Sequence, residues 1–449
     1  MNKGRIQFKP CAGLLLAAFL VACGEPESTP QEEPLNEADV VVETPAEPDP
    51  YEGSTAFHGA SLWDGGDGAV LQDAVLIVRD GRVEEVLTGQ VPQAAQAVDL
   101  TGSWIVPGFI DAHAHVSGDW AADEIVDTRQ KLRDELRLYA RYGVTTVNSL
   151  GGEPVEAMAI RDAQNDASLD HARVFVAGEV VANTDAMEAA KTTAANIAGS
   201  VDWIKIRVDD NLGSAQKMPW PAVEAVFQTA NARDARVATH VFYMADASRL
   251  LDLGTDLIAH SVRDQPLDDA FVQKLFESGT CYVPTLTREM STFVYATRPE
   301  FFDDPYFQEA AKKSEVDRVS DPPFMARMAA SPAAAGYRKA LVQAQENLRI
   351  VQGSGIPVAF GTDAGPPGRF PGYFEHVEFY LMQEAGLTPR EILSSATSIA
   401  ADCLELDDDG RLAPGKWADF VVLAKNPFDD IRNTRSITSV YIAGNLVAE

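Results

Sequence analysis

The sequence predicts an α/β protein whose main part is a (β/α)8 TIM barrel, joined to a small β-sandwich domain built from both chain ends. Three observations predict this fold. Short apolar runs alternate with helix-like stretches through residues 106–405, and residues 55–105 and 406–449 consist of alternating runs broken by turns. Ligand-type side chains, which a fully buried strand should lack, also stand at the ends of five of the apolar runs.

Residues 1–22 are predicted to be a signal peptide and not part of the fold. Lys3, Arg5 and Lys9 accompany an apolar run, CAGLLLAAFLVAC, that is too short to span a bilayer. The run ends in LVAC, which resembles the lipobox of bacterial lipoproteins. The resemblance implies cleavage before Cys23 and lipidation of that cysteine, which would anchor the protein to a membrane. An ordinary secretory signal and a short uncleaved anchor are the alternatives.

Residues 23–54 are predicted to be a disordered, acidic, proline-rich tether. Residues 24–50 contain no Lys or Arg and are dominated by Glu, Asp and Pro, so they offer little apolar surface to offset the entropy of ordering. Gly24 follows Cys23, whereas lipoproteins kept at the inner membrane usually carry Asp there. The resemblance therefore favours a cell-envelope lipoprotein at the outer membrane, facing the periplasm.

The overall charge limits the classes of partner. The formal net charge is −30 over 449 residues, which argues against binding nucleic acid because a phosphate backbone needs a basic face. A small-molecule substrate is compatible with this charge. The sequence leaves the oligomeric state open, a homo-oligomer included.

The two flanks share one style of sequence, which predicts that they form one β-sandwich. In the N-terminal flank, Asp80-Gly81 separates the apolar runs AVLIV and RVEEVL, a pattern typical of a hairpin. The C-terminal flank has the runs ADFVVLA and SVYIAGNLV. Cys281 and Cys403 stand on separate core elements between the flanks. We interpret both as small buried hydrophobic residues without a disulfide, although an oxidising compartment would permit one.

The middle of the chain supplies the eight strands of the predicted barrel, residues 106–405. Helical stretches such as PAVEAVFQTANARDA separate most of them, and the long connection 288–356 is expected to carry extra helices over the barrel mouth. The strand candidates are 105–113, 143–150, 173–179, 201–208, 236–241, 256–261, 281–287 and 357–363.

Polar residues at the strand ends predict a metal site, because the carboxyl ends of barrel strands open at one face. His113 and His115 are two residues apart, so their side chains share a strand face and can converge on one ion. Imidazole and carboxylate are common ligands of Zn²⁺. The candidate residues are His113, His115, Lys205, His240, His260 and Asp363.

Lys205 decides how many ions the predicted site holds. A buried lysine has a lowered pKa, and its neutral amine can add CO₂ to form a carbamate that bridges two cations. Two cations about 3.5–4 Å apart activate water and polarise a carbonyl group. If Lys205 forms a structural salt bridge instead, a single-metal site on His113, His115, His240 and Asp363 remains.

These motifs together resemble the amidohydrolase superfamily of metal-dependent hydrolases. The resemblance is carried by PGFIDAHAH, the lysine in WIKIRV, VATHV, LIAHS, FGTDAG and the segment from GLTPREIL to KWADFVVL, and it covers residues 55–449. It implies two divalent metal ions, most commonly zinc, with Mn, Co or Fe as alternatives. It further implies that Asp363 is the general base. By analogy, His113, His115, Lys205 and Asp363 would hold one ion, and Lys205, His240 and His260 the other.

The branch that this sequence resembles most contains imidazolonepropionase-like proteins and metal-dependent prolidases and carboxypeptidases. We therefore expect hydrolysis of an amide bond in a dipeptide or N-acyl amino acid. Tyr243 and Arg207 are candidates to bind a substrate carboxylate. Two alternatives remain open: hydrolysis of a cyclic amide or lactone at the same site, and a non-catalytic surface lipoprotein.

Overall fold

The computed structural model describes residues 49–93 and 95–448. The predicted signal peptide, the lipidated Cys23 and most of the predicted tether lie outside the described residues, and their assignments stay predictions. Within the described part of the chain, no helix is both long enough and apolar enough to cross a membrane.

The N-terminal flank forms five strands. The hairpin predicted at Asp80-Gly81 joins β2 to β3, and both turn residues have positive φ angles, 49° and 78°, as a type I′ hairpin turn requires. The strands are β1 (Thr55–Leu62), β2 (Leu71–Arg79), β3 (Arg82–Thr88), β4 (Gln96–Asp99) and β5 (Trp104–Pro107).

Strands and helices then alternate, as the sequence predicts. Asp127, Asp185 and Asp268 cap the N-termini of α1, α3 and α6 with their carboxylates, which satisfies backbone N–H groups that have no partner within the helix. The elements are β6 (Phe109–Ala114), α1 (Thr128–Arg141), β7 (Val144–Ser149), α2 (Glu156–Asp162), β8 (Arg173–Val176), α3 (Ala186–Ala198), β9 (Ile204–Arg207), α4 (Trp220–Asn231), β10 (Val237–His240), α5 (Met244–Leu253), β11 (Leu257–Ala259), α6 (Asp269–Ser278) and β12 (Cys281–Val283).

The long connection carries the extra helices expected there. Its residues 292–331, called the insertion below, bury Tyr295, Phe302 and Phe307 in one apolar cluster with Phe370 and Phe374, so they pack against the segment that leads into α12. The elements are α7 (Leu286–Ser291), 3₁₀ helices at Val294–Ala296 and Glu300–Asp303, α8 (Pro305–Gln308), α9 (Lys313–Val319), α10 (Pro322–Ala329), α11 (Pro332–Gly353), α12 (Tyr373–Glu384), α13 (Pro389–Ser395) and α14 (Ser398–Leu404).

The last elements are β13 (Phe420–Leu423), a 3₁₀ helix at Ile431–Arg435, β14 (Ile437–Ile442) and β15 (Asn445–Ala448). They join the N-terminal strands in one eight-stranded sheet, in the order β15-β14-β13-β5-β1-β2-β3, with β4 also paired to β1. Strands of the two flanks therefore share one sheet. Its division into the two packed layers of a sandwich stays a prediction.

The parallel strands of the middle form two sheets, β6-β7-β8 and β12-β11-β10-β9. Val181, in the segment after β8, bridges to Ile206 of the second sheet, and Tyr282 bridges to Val358. The eighth candidate, 357–363, is not a regular strand, but the Ala112 N–H donates to the Phe360 carbonyl at 2.9 Å. The fold is thus a mixed α/β fold. The regular strands of the described residues do not form the single closed sheet of the predicted barrel.

The interpretation of Cys281 and Cys403 as unbridged residues is wrong, because the structure joins them in a disulfide with their Cα atoms 5.9 Å apart. Cys281 begins β12 and Cys403 lies in α14. Both pack in the same apolar cluster although 122 positions separate them in sequence. Tertiary packing of α14 against the start of β12 brings the two sulfur atoms together, and the sequence shows no local sign of that contact.

Candidate metal centre

The six residues singled out at the strand ends meet at one cavity of about 530 Å³. His113 lies in β6, Lys205 in β9 and His240 at the last position of β10. The other three directly follow a strand or extended segment. All six line the cavity: His113, His115, Lys205, His240, His260 and Asp363.

The distances between these side chains are those of potential ligands. Candidate ligand atoms of His113, His260 and Asp363 all lie within 4.8 Å of one another. Asp363 Oδ1 lies 2.9 Å from His115 Nε2, and Lys205 Nζ lies 3.0 Å from His113 Nε2. The His240 and His260 rings are 4.0 Å apart between centroids. Three of the six side chains, those of His113, His260 and Asp363, therefore lie close enough together to bind a single ion.

Hydrogen bonds orient three of the imidazoles through one ring nitrogen each. His115 Nδ1 bonds to the Gly151 carbonyl at 2.8 Å, and His260 Nδ1 bonds to Thr285 Oγ1 at 2.6 Å. His240 is held by Nε2, which lies 2.9 Å from Asp209 Oδ2. Metal-binding histidines are typically held in this way through the nitrogen that does not bind. These residues therefore fit a divalent metal ion.

Burial sets the protonation states that metal binding needs. It lowers the pKa of His113 and His260 well below the usual value and that of His240 to about 3, so neutral imidazoles are favoured. Burial also lowers the pKa of Lys205 to about 7, which makes a neutral amine available near neutral pH. This amine is the form that carbamate formation requires.

Asp363 is kept ionised although it is buried. Burial acts to raise the pKa of its carboxyl group, but the positive charge of Arg369 and the hydrogen bond from His115 outweigh burial and hold that pKa well below its usual range. Its backbone is left-handed, with φ of 59°, and its N–H donates to the His113 carbonyl at 2.6 Å. The carboxylate is thus fixed against the HxH segment.

A buried charge network behind the cavity was not predicted from the sequence. Asp209 connects His240 to Arg288, at 2.9 and 3.9 Å, and Glu289 pairs with both Arg288 and Arg263 at 2.9 Å. Asp209 lies two positions after Arg207, at the end of β9, and this spacing was the sequence signal that could have placed Asp209 near the site. Its partner His240 is 31 residues away, so no periodicity reveals the pair.

The two candidate substrate residues fall into different positions. Arg207 lines the cavity, donates from Nη2 to Asn211 Oδ1 at 2.5 Å and has a buried Nε without a hydrogen-bond partner among the described residues. Tyr243 precedes α5, and its hydroxyl donates to Asp210 Oδ1 at 2.8 Å. Tyr243 does not belong to the residues that line the cavity.

The family model of the amidohydrolase family matches residues 104–447. The chain belongs to the amidohydrolase family. It is an enzyme, a hydrolase acting on carbon–nitrogen bonds, which sets aside the non-catalytic alternative.

Curated relatives of this amidohydrolase cover most of its length. An uncharacterised protein of Mycobacterium tuberculosis is 26% identical over 382 residues, which are 79% of this chain and 91% of that protein. The imidazolonepropionase of Deinococcus deserti is 26% identical over 399 residues, 82% of this chain and 90% of the relative.

Solved structures share the fold. A putative prolidase from Bifidobacterium longum has a TM-score of 0.71 at 23% identity, covering 89% of this chain and 95% of its own. A Xaa-Pro dipeptidase with bound methionine in its active site has a TM-score of 0.70 at 22% identity, covering 88% and 99%. At these identities the likeness shows the fold alone.

Proposed function

We propose that this amidohydrolase cleaves the amide bond of a dipeptide or N-acyl amino acid at the cavity formed by the strand ends. The observation that carries the proposal is the convergence of His113, His115, Lys205, His240, His260 and Asp363 on that one cavity. The structural likeness to a Xaa-Pro dipeptidase and a putative prolidase supports a linear amide substrate. We also propose that residues 106–405 form a (β/α)8 barrel in which 357–363 take the place of the eighth strand.

The residues present fit two divalent ions, most commonly zinc. His113, His115 and Asp363 would hold one ion and His240 and His260 the other, with Lys205, carboxylated by CO₂, between them. Bound there, the ions would polarise the substrate carbonyl and lower the pKa of water. Asp363 would accept a proton from the attacking water and pass it to the departing nitrogen.

Among the arginines around the cavity, we propose Arg207 as the group that binds the substrate carboxylate. Arg369 pairs with Asp363, Arg263 pairs with Glu289, and Arg288 pairs with both Glu289 and Asp209. Arg207 forms no ion pair with a carboxylate of the described residues. An anion of the substrate would supply the missing counter-charge and a partner for the buried Nε.

The test is turnover by the metal-loaded enzyme of Xaa-Pro, Xaa-Arg and N-acetyl amino acids, each beside its C-terminal amide. We expect turnover of the free acids, its loss with a chelator and its return with Zn²⁺. Arg207→Ala should raise KM for the free acids by about 10-fold or more, in line with the loss of a charged hydrogen bond, and leave KM for the amides unchanged. Arg249→Ala, an exposed arginine on α5, is the control.

Two results would contradict parts of this proposal. No metal-dependent turnover of any linear amide would exclude the dipeptide and N-acyl amino acid substrates. Turnover confined to cyclic amides or lactones would favour the alternative that the similarity to imidazolonepropionases supports. Equal KM changes for acids and amides in Arg207→Ala would remove Arg207 alone from the proposal.

A further inference from the structure

Arg369 contacts Asp363 on the side away from the histidines. The two oxygens of the Asp363 carboxylate have different partners: Oδ1 lies 2.9 Å from His115 Nε2 and 3.7 Å from His113 Nε2. Oδ2 accepts a hydrogen bond from Nη1 of Arg369, and the same nitrogen lies 3.2 Å from the Asp363 carbonyl oxygen. One guanidinium group therefore holds both the side chain and the main chain of Asp363.

The main-chain contact matters because the backbone of Asp363 is left-handed, with φ of 59°. A non-glycine residue in that region is strained and persists only where its surroundings hold it. Arg369 supplies one such restraint from the Asp363 carbonyl side. The hydrogen bond from the Asp363 N–H to the His113 carbonyl supplies another.

Arg369 is itself fixed from two sides. Its Nε donates to Ser291 Oγ on α7 at 3.0 Å. It closes a tight loop, in which the Gly365 N–H donates to the Arg369 carbonyl and the Arg369 N–H donates to the Pro366 carbonyl, both at 3.0 Å. The guanidinium therefore approaches Asp363 in a set orientation.

The insertion holds this loop from outside. The Glu315 carboxylate of α9 accepts a hydrogen bond from the Gly368 N–H, and the Tyr295 hydroxyl donates to the Gly368 carbonyl. Trp120 Nε1 donates to the Gly365 carbonyl at 2.5 Å. The helices of the long connection thus reach the candidate metal centre through the loop that carries Arg369.

We propose that Arg369 is a positioning residue that occupies Oδ2 of Asp363, so that this carboxylate offers only Oδ1 to the metal centre. A guanidinium group and a metal ion are both cations that compete for one carboxylate, so this arrangement costs metal affinity. In return, the carboxylate is kept in a single orientation for proton transfer. The rate of the catalysed reaction depends strongly on that orientation. Arg369 thus has effects of opposite sign on metal affinity and on turnover.

The experiment measures zinc affinity and kcat of Arg369→Ala in the full chain. Zinc affinity, from competition with a coloured chelator, is expected to rise on the order of 10-fold because a competing charge is gone. The kcat on any amide, cyclic amide or lactone that the enzyme hydrolyses is expected to fall about 10- to 100-fold, because a misplaced catalytic group is costly. Added methylguanidinium should restore part of kcat and lower zinc affinity again.

Three further variants separate the charge of Arg369 from its geometry and its anchor. Arg369→Lys keeps the charge without the two-pronged geometry, so kcat should stay low while zinc affinity stays near that of the parent. Ser291→Ala removes the anchor of Arg369 and should shift both quantities in the direction of Arg369→Ala, by less. Arg298→Ala removes an exposed arginine of the insertion, paired with Asp303, and should change neither.

A parallel fall of zinc affinity and kcat in Arg369→Ala, or a change in only one of them, would overturn the proposal. If Arg369→Ala does not fold, Ser291→Ala decides: unchanged zinc affinity and kcat would then overturn it. The affinity measurement requires no substrate. The test of the role of Arg369 therefore does not depend on whether the enzyme cleaves dipeptides.

Discussion

At the scale of single residues, the centre depends on which nitrogen of each histidine is held by the protein. His240 is held at Nε2 by Asp209, whereas His115 and His260 are held at Nδ1. Burial acts to raise the pKa of the Asp209 carboxyl group, but the hydrogen bond from His240 and the charges of two nearby arginines lower it, so the carboxylate stays ionised. This carboxylate therefore selects the form of His240 that leaves Nδ1 for a metal ion.

Asp209→Asn is expected to lower zinc affinity about 10- to 100-fold, because groups that orient metal-bound histidines typically contribute that much. Zinc bound per chain after dialysis, and competition with a chelator, measure the effect. Asp210→Asn is the matched control, since Asp210 bonds to the Tyr243 hydroxyl and to no candidate ligand. Equal affinities in the two variants would show that Asp209 does not orient His240.

At the scale of elements, α7 joins the centre to the rest of the fold. It carries Arg288 and Ser291, and it begins after Thr285, the residue that holds His260. Its first N–H groups, of Leu286 and Thr287, donate to the buried Glu378 carboxyl of α12 at 2.8 and 2.7 Å. Burial raises the pKa of Glu378 to about 8, against the opposing effect of these hydrogen bonds.

This pKa predicts the sign of a pH effect on stability. Glu378 titrates at about 4.5 when the chain is unfolded and at about 8 when folded, so its contribution is complete below pH 4.5 and is lost as the pH rises through 8. We expect the Tm of the chelator-treated protein to fall between pH 5 and 8, and to fall by a few degrees less in Glu378→Gln.

Glu384→Gln, on the exposed face of the same helix, is the control and should follow the parent protein. Some of the fall should remain in Glu378→Gln, because burial also raises the pKa of Glu135 to about 8. Identical Tm profiles of Glu378→Gln and the parent would contradict the assignment of this pH effect to the cap of α7.

At the scale of the whole molecule, the disulfide bears on where the enzyme works. The disulfide between Cys281 and Cys403 joins positions that are 122 residues apart in the sequence. Disulfides persist in oxidising compartments and are rare in reducing ones. We propose that the enzyme works in the cell envelope, anchored through a lipidated Cys23 to the outer membrane and facing the periplasm, and the disulfide supports an oxidising compartment.

The full chain is expected in the membrane fraction, whereas the Cys23→Ser variant should be recovered in the soluble fraction. Cys281 and Cys403 are expected to react with a maleimide only after reduction. Cys403→Ser should lower the free energy of unfolding by up to about 4–5 kcal/mol, the loop-entropy value for a closed loop of roughly this size. Reactive thiols at Cys281 and Cys403 in the native enzyme would contradict the compartment. Membrane recovery of Cys23→Ser would contradict the anchor.

Much of the candidate site was predictable because it follows from periodic structure. Residues two apart on a strand share a face, and parallel strands end at one edge, so His113, His115, Lys205, His240, His260 and Asp363 could be placed together without coordinates. The assignment of Tyr243 to the same cavity did not follow in this way. Tyr243 lies beyond the end of β10, where strand periodicity no longer fixes a direction, and its hydroxyl bonds to Asp210.

The sequence by itself determined the alternation of strands and helices and the set of ligand-type residues at the strand ends. Only the tertiary structure decided which groups hold them: Asp209 behind His240, Arg369 on Asp363, Glu378 under α7 and the bridge between Cys281 and Cys403. The physical reason is that backbone periodicity is local and repeats along the chain. Contacts between side chains far apart in sequence depend on how whole elements pack, and they leave no repeat to detect.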